Sequence, residues 1–489
     1  MPNGVIIEKG PMDWQIFQQE NGKADIELAG KWYLSSKFTN PVVFARVVSE
    51  DNGFPVIPWT KCNVTGENEW QVVLKDVPAG GLYRIETCVR HDNFTIEWAT
   101  RGDMRHHIGV GDIFIIAGQS NSAGYGRDTV YDPPEPGLHV LRHSNRWDMA
   151  SHPLNDSTDT LHEANRERSN PGHSPYLSFA RQMKKVLGYP IGLIPAALGG
   201  SPLKAWNPDE QGTLYRNMMD FLKDNGITKV KGVLWYQGCS DADKVRYETY
   251  RERFINMVSH WRRDMNDDKL PFFTVQINRF KVPATEKSDM AWSIIREAQR
   301  QIPKVIDNIY VIPSLDCMLS DLIHNSAVSN MMLGERLARL VLNTLYVKSF
   351  ECFAPDLKKA EKTEDNKVLL TFDNVYGRLY CYDVGPSEIP FTIIDEKGTV
   401  EIEKYAVTEN NVIMLECGRK LEGKCYIHGA YGQDPKGVMP VDFETHIPIL
   451  AFYNVEIKDL GKKTEVDKNA DIHETEQEKD SAEILQSLH

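Results

Sequence analysis

The residue types that acyl transfer through a serine requires stand in this chain where a fold could gather them. In "IFIIAGQSNSAGYG" (113–126) an apolar run breaks into small and polar residues, and Ser120 sits at the break. Far downstream, "DLIHNS" carries Asp321 and His324. A hydroxyl is a poor nucleophile until a base within hydrogen-bond reach takes its proton, and histidine suits that task near neutral pH. A carboxylate then fixes the imidazole tautomer and stabilises the imidazolium. The tetrahedral oxyanion needs preorganised donors, commonly backbone N–H groups and a side-chain amide. Candidates are the Ser120 N–H, the N–H of Gly199 or Gly200 in "LGGSPLKAW", and the Gln237 amide in "WYQGCSDA". Glycine suits the second place because a side chain would block close approach of the backbone. Each piece also has a plainer reading: a serine or Gly-Gly as turn, Asp-x-x-His as a helix N-cap followed by an incidental histidine. Their joint occurrence at strand ends favours the chemical one. Gly stands two residues before Ser120 but Ser122 two residues after it, which excludes the nucleophile elbow of the α/β-hydrolases.

The elements around these residues supply the positioning. After Gly109 apolar strands ("DIFIIAG", "PIGLIPA", "KGVLWYQ", "PFFTVQI", "NIYVIPS") alternate with amphipathic helices ("YLSFARQMKKVLG", "TLYRNMMDFLKDNG", "RYETYRERFINMVSHWRRDM", "SIIREAQRQI"). Such alternation predicts a parallel sheet covered on both faces, with ligands at the carboxyl ends of its strands. Gly188 and Gly226 stand where a helix C-cap favours positive φ. From Asp13 to Ala99, short β-branched and aromatic runs, "FTIEWAT" among them, predict an all-β sandwich or jelly roll. Strands return after Glu351, and the stretch from Lys462 to His489, rich in Glu, Asp and Lys, predicts disorder. The expected organisation is therefore an N-terminal β region (1–106), an α/β domain (107–347), a C-terminal β region (348–460) and an acidic tail (461–489).

Composition narrows the classes. A net charge of -13 argues against nucleic acid as the main partner, and 41% hydrophobic residues suffice for real cores. No run reaches the roughly 18 apolar residues of a membrane span, and the first residues lack the apolar core of a signal peptide. A periplasmic or secreted location is expected only if an export signal has been removed, and the cytoplasm otherwise. The eight cysteines include no CxxC pair, which excludes a zinc ribbon. Free thiols are expected, Cys417 and Cys425 being the pair that could bridge two strands. Nothing in the composition speaks to oligomeric state.

"GQSNSAG", "LGGSPLKAW", "WYQGCSDA" and "DLIHN", in this order, resemble the SGNH-hydrolase group of carbohydrate O-acetylesterases, the sialate O-acetylesterase type in particular. The resemblance implies a flavodoxin-like three-layer α/β core with a parallel sheet, flanked by N- and C-terminal β-sandwich-like regions. It implies a serine mechanism without metal or cofactor, acting on O-acetylated carbohydrate, with Ser120, Asp321 and His324 catalytic. Ser120, a glycine of Gly199-Gly200 and Gln237 would form the oxyanion hole, and Asn121 would brace the turn. Two residues depart from the pattern: Cys239 where the type has Glu, with Asp241 the candidate substitute brace, and Asn325 where it has Pro.

Trp206, Trp235, Tyr125 and His173 are candidates by position for sugar contact, against a plainer reading as core, and Arg127 for a sialic acid carboxylate. O-acetylated sialic acid is the expected substrate. The alternatives are an acetylesterase for plant polysaccharide such as acetylated xylan, and a carbohydrate-binding protein with weak turnover on the same fold.

Overall fold

The strand expected before Ser120 is longer than its apolar run. In the computed structural model, which describes residues 3–169, 171–242 and 246–459, β1 spans Thr100–Gly118. Its first half is partly exposed and pairs antiparallel with Gly80–Arg90, whereas every residue from Ile108 to Gly118 is buried. That second half is the centre of a parallel sheet. The other strands are β2 (Leu138–Arg142), β3 (Arg146–Met149), β4 (Ile191–Pro195), β5 (Gly232–Tyr236), β6 (Phe272–Val275) and β7 (Ile309–Ile312). They lie in the order β3-β2-β4-β1-β5-β6-β7, parallel except for the edge hairpin β2–β3. The apolar strand runs follow from this placement, since a strand covered on both faces has no polar side to alternate with.

The helices are α1 (Ser120–Ala123), α2 (Tyr176–Leu187), α3 (Thr213–Asp224), α4 (Tyr250–Asp264), α5 (Glu286–Gln301) and α6 (Ala327–Tyr346). α2 packs on α6 and α4 on α5. Gly188 ends α2 at φ 77°, as its position predicted. The sheet core is aromatic-rich: Phe114 meets Phe179 of α2 edge-on, and Trp235 of β5 meets Phe254 and Trp261 of α4.

N-terminal to β1, the strands Gly4–Lys9, Lys23–Tyr33, Glu69–Pro78 and Asn63–Gly66 form one sheet. It shares an apolar core (Ile26, Leu28, Trp70) with the layer formed by Val42–Ser49, Gly80–Arg90 and the start of β1 (Val47, Ile85, Ile108). "FTIEWAT" departs from expectation: Ile96–Trp98 is a single 3-10 turn with Trp98 exposed, and the strand begins only at Thr100.

The chain forms two compact units, one running through residue 353 and taking in Gly432–Asp434, the other comprising Ala354–Tyr431 and the described residues from Pro435. The division expected at 106/107 falls inside β1, so the N-terminal strands and the parallel sheet are one unit. The second unit contains a five-stranded, a four-stranded and a two-stranded sheet. All eight cysteines, Cys417 and Cys425 included, are free thiols. The tail expected at 461–489 lies outside the described residues.

Candidate active site

β1 ends in a turn that only glycine can make. Gly118 has φ +124°, and a Cβ there would lie 2.3 Å from the Tyr236 carbonyl oxygen of the neighbouring strand. The Gln119 N–H donates to that carbonyl (3.0 Å), and Ser120 opens α1. Beneath the turn the Ser122 hydroxyl donates to the Ala117 carbonyl (2.9 Å) and meets the Tyr176 hydroxyl at 2.6 Å. The Ser120 N–H is the first of a helix, so it has no intrahelical acceptor, and it has none among the described residues.

The segment after β7 brings Asp321 and His324 to this turn. His324 Nε2 lies 2.9 Å from Ser120 Oγ, and His324 Nδ1 lies 2.7 Å from Asp321 Oδ2. The other Asp321 oxygen accepts the N–H groups of Ile323 (2.9 Å) and His324 (2.8 Å). Partial burial pushes the Asp321 pKa up, but the bonds from His324 and the two backbone N–H groups outweigh it and leave it lowered. The carboxylate is thus held ionised, with Nδ1 protonated and Nε2 free to accept from the serine. Tyr125 stacks on the imidazole with centroids 4.7 Å apart and planes 28° apart, which holds the ring from one face.

Asn121 ties the two segments together. Its Nδ2 donates to the Ile323 carbonyl (3.2 Å) and its Oδ1 accepts the Asn325 N–H (3.0 Å). A proline at 325 would have no N–H to give, so Asn325 supplies a bond that the expected residue would lack. The Asn325 side chain is itself held by Asn278 Nδ2 (2.7 Å).

Ser120, Tyr125, His324 and Gly200 line a cavity of about 730 Å³. Gly200 has φ +68°, and its N–H has no acceptor among the described residues. Gly199 differs: its N–H donates to Glu167 Oε2 at 2.8 Å. Burial, with the Glu167 carboxylate adding to it, pushes the Tyr125 phenol up to about 12.

Several expected residues lie elsewhere. The Gln237 side chain is fully buried. Its Nε2 donates to the Ser201 carbonyl (3.2 Å) and to Asp241 Oδ2 (2.6 Å), and its Oε1 accepts from the Tyr250 hydroxyl (3.1 Å). Both amide hydrogens are therefore engaged away from the cavity. Gln119, by contrast, does line it. Gln119 Oε1 accepts the N–H groups of Gly238 (3.1 Å) and Ser240 (3.2 Å), which orients its NH2 the other way, and that nitrogen has no partner among the described residues. Sequence reasoning passed over Gln119, although it adjoins the serine, because a glutamine at a turn carries no directional signal.

Trp206 and Trp235 are core residues at 0% and 1% exposure, packed on each other and on Trp261, so neither offers a face to a sugar. His173 is buried with its Nε2 3.0 Å from Asp132. Arg127 is exposed, its guanidinium 6.0 Å from the Tyr125 ring, and it is not part of the cavity wall. The charged residues that line the cavity come instead from 163–168: Glu163 paired with Arg166, then Glu167, then Arg168, which has no ion-pair partner among the described residues. That stretch has no apolar period by which to single it out.

Cys239 also lines the cavity, but burial pushes its thiol up to about 12, which disfavours the thiolate that a nucleophile needs. Asp241 braces the segment after β4, accepting the Leu203 N–H (2.7 Å) and a bond from Arg253 (3.1 Å); the serine turn is held by Gln119 instead. Among the described residues one group has metal-ligand spacing, Asp132 with His152 and His173. Its carboxylate already meets both Nε2 atoms and the Arg181 guanidinium, which stands where a cation would. The donor set fits a hydrogen-bonded brace for the loop before β2.

A family model described as carbohydrate esterase, sialic acid-specific acetylesterase, matches residues 110–343. A probable carbohydrate esterase of Arabidopsis thaliana is 30% identical over 254 residues, covering 47% of this chain and 90% of that protein. The sialate O-acetylesterase of Homo sapiens is 26% identical over 235 residues, 40% of this chain and 42% of its own length. The crystal structure of a carbohydrate acetylesterase from Xanthomonas citri is similar in fold, with a TM-score of 0.62 and 20% identity over 90% of this chain and 97% of that one.

Proposed function

The chain belongs to the carbohydrate esterase family of sialic acid-specific acetylesterases, carboxylic ester hydrolases, and from that premise we propose that it removes O-acetyl groups from sialic acids through an acyl-serine intermediate. The observation that carries the mechanism is the continuous relay from Ser120 Oγ through His324 to Asp321, at 2.9 and 2.7 Å. Ser120 attacks the acetyl carbonyl while His324 Nε2 takes its proton. The imidazolium, stabilised by Asp321, returns that proton to the departing sugar oxygen as the tetrahedral intermediate collapses. Water then enters; His324 takes its proton, hydroxide adds to the acyl carbon, and acetate leaves as Ser120 is reprotonated. The oxyanion is met by the N–H groups of Ser120 and Gly200 and by the Gln119 amide.

Arg168, without an ion-pair partner among the described residues, suits the carboxylate of a sialic acid. One observation favours a second reading: Glu167 places a carboxylate in the same wall, which suits the hydroxyls of a neutral acetylated polysaccharide such as xylan better than an anionic sugar. Comparing kcat/KM on 9-O-acetylated sialic acid and on acetylated xylo-oligosaccharides decides between them. A preference for the sialic acid upholds the first reading, and release from xylan alone overturns it.

A further inference from the structure

A second cleft, of about 530 Å³, lies wholly within the C-terminal unit. One wall is the segment 378–384; the other is formed by the outer strand Ile402–Glu409 and its neighbour Val412–Cys417. Its size falls within the roughly 300–1,000 Å³ of small-ligand pockets. Tyr380 and Tyr382, two apart on one extended segment, both project outward, 46% and 39% exposed, with their rings edge-on at 5.2 Å. Phe443, 58% exposed, continues the patch 6.3 Å from Tyr380, because Leu379–Tyr380 pairs with Val441–Asp442.

This aromatic surface is built rather than loose. The buried Asp442 carboxylate accepts the N–H groups of Tyr376 (3.2 Å) and Gly377 (3.0 Å), which fixes the turn into Tyr380. The Tyr405 hydroxyl donates to the Tyr382 carbonyl (2.7 Å) and so ties the aromatic segment to the opposite wall.

The polar lining is equally informative. Arg378, Lys404, Asp383, Glu403 and Glu416 all border the cleft, and none has a side-chain hydrogen bond or ion pair among the described residues. The fully buried centre of a protein–protein interface is depleted in charge, whereas this cleft interleaves rings with unengaged donors and acceptors. A pyranose ring has the matching chemistry, an apolar C–H face bordered by hydroxyls. Two cations against three carboxylates leave the lining nearly balanced, which suits a neutral ligand and not an anionic one.

We propose that this cleft is a carbohydrate-binding site for neutral oligosaccharide, with Tyr380 and Tyr382 as its stacking platform. Unlike the pocket at Ser120 it makes no use of the acetyl group, so the inference does not rest on the substrate proposed there.

The test is calorimetric titration of the full chain carrying Ser120→Ala with unacetylated xylohexaose and, separately, with 3′-sialyllactose. Xylohexaose is expected to bind, and better than the sialyl sugar. Tyr380→Ala with Tyr382→Ala should weaken it by about tenfold or more, while the paired Phe substitutions, which keep both rings, should hold affinity within about threefold. Hydrolysis of p-nitrophenyl acetate by the same tyrosine substitutions in the Ser120 background should be unchanged. A second measurement needs no substitution at the cleft: saturating xylohexaose should protect Tyr380 and Tyr382 from nitration by tetranitromethane, read by peptide mass. The proposal is overturned by absence of xylohexaose binding, by unchanged affinity in the double Ala variant, by tighter binding of the sialyl sugar, or by unprotected tyrosines.

Discussion

Gln119→Glu separates the two tasks assigned to that side chain. A glutamate keeps an oxygen where Gln119 Oε1 accepts the N–H groups of Gly238 (3.1 Å) and Ser240 (3.2 Å), so the serine turn retains its anchor. It loses the NH2 that has no partner among the described residues and puts a carboxylate where that amide is proposed to meet the oxyanion. Removing one oxyanion donor typically costs about 10²–10³ in kcat, roughly 2.7–4 kcal/mol, and added repulsion moves the expectation to the upper end. KM on a small neutral ester should change little, because the ground-state carbonyl carries far less charge than the transition state. Gln119→Ala is the contrast: it strands two backbone donors at about 1–3 kcal/mol each and should lower Tm by several degrees. The assay is steady-state hydrolysis of p-nitrophenyl acetate with thermal unfolding of the same samples. If Gln119→Glu keeps native Tm and native kcat, the amide plays no part in the transition state and the reasoning fails.

Other consequences can be measured alongside. Trp206→Ala should destabilise by about 3–5 kcal/mol, since the ring is a fully buried member of the Trp206–Trp235–Trp261 cluster, and should leave KM of the residual folded enzyme near native. A raised KM with unchanged unfolding midpoint would return it to the substrate site. Glu167→Gln removes a negative charge from the cavity wall while keeping an acceptor for the Gly199 N–H; the ratio of kcat/KM on an O-acetylated sialic acid to that on a neutral acetyl sugar should rise about fivefold, as expected from roughly 1 kcal/mol of screened repulsion. An unchanged ratio in direct competition would refute that electrostatic role. Burial depresses His139, His143 and His428 to about 4, so each is neutral in the fold while its unfolded counterpart protonates near 6.5. Because the folded pKa is the lower one, this contribution is complete above pH 6.5 and is lost as pH falls toward 4, up to about 3 kcal/mol per histidine. Urea unfolding at pH 7.5, 6 and 5 should show falling stability, and His139→Gln should flatten the decline; equal stability at all three pH values would contradict it.

The serine, histidine and aspartate were legible because their positions follow from a general rule: a parallel sheet presents its chemistry at the carboxyl ends of strands. A sequence also marks Gly118, since a break from β-branched residues into glycine implies a turn. It does not say which way an amide points. Gln237 stands at a strand end as expected, yet Tyr250 on α4 and Asp241 turn its side chain inward. The tryptophans misled for a related reason. Trp206 and Trp235 stand close to the strand end by sequence, but they pack on each other, and Phe254 and Trp261, brought over them by α4, bury them in the core. The cavity's charged wall, Glu163 to Arg168, belongs to a loop without periodicity, whose place depends on bonds such as Glu167 N–H to Ser157 Oγ that leave no trace in spacing. β2 and β3 are not legible because "LHVLR" and "RWDM" interrupt their apolar residues with His, Arg and Asp, unlike the largely unbroken apolar runs of the other strands.

The central claim is that Ser120, activated by His324, carries the acetyl group. It is tested by acetate release from 9-O-acetylated sialic acid, with acetylated xylan alongside, for the native chain and for Ser120→Ala at matched Tm. The account predicts release from the sialic acid by the native chain and a loss of at least about 10³-fold in the variant. Native-level release by Ser120→Ala would contradict it.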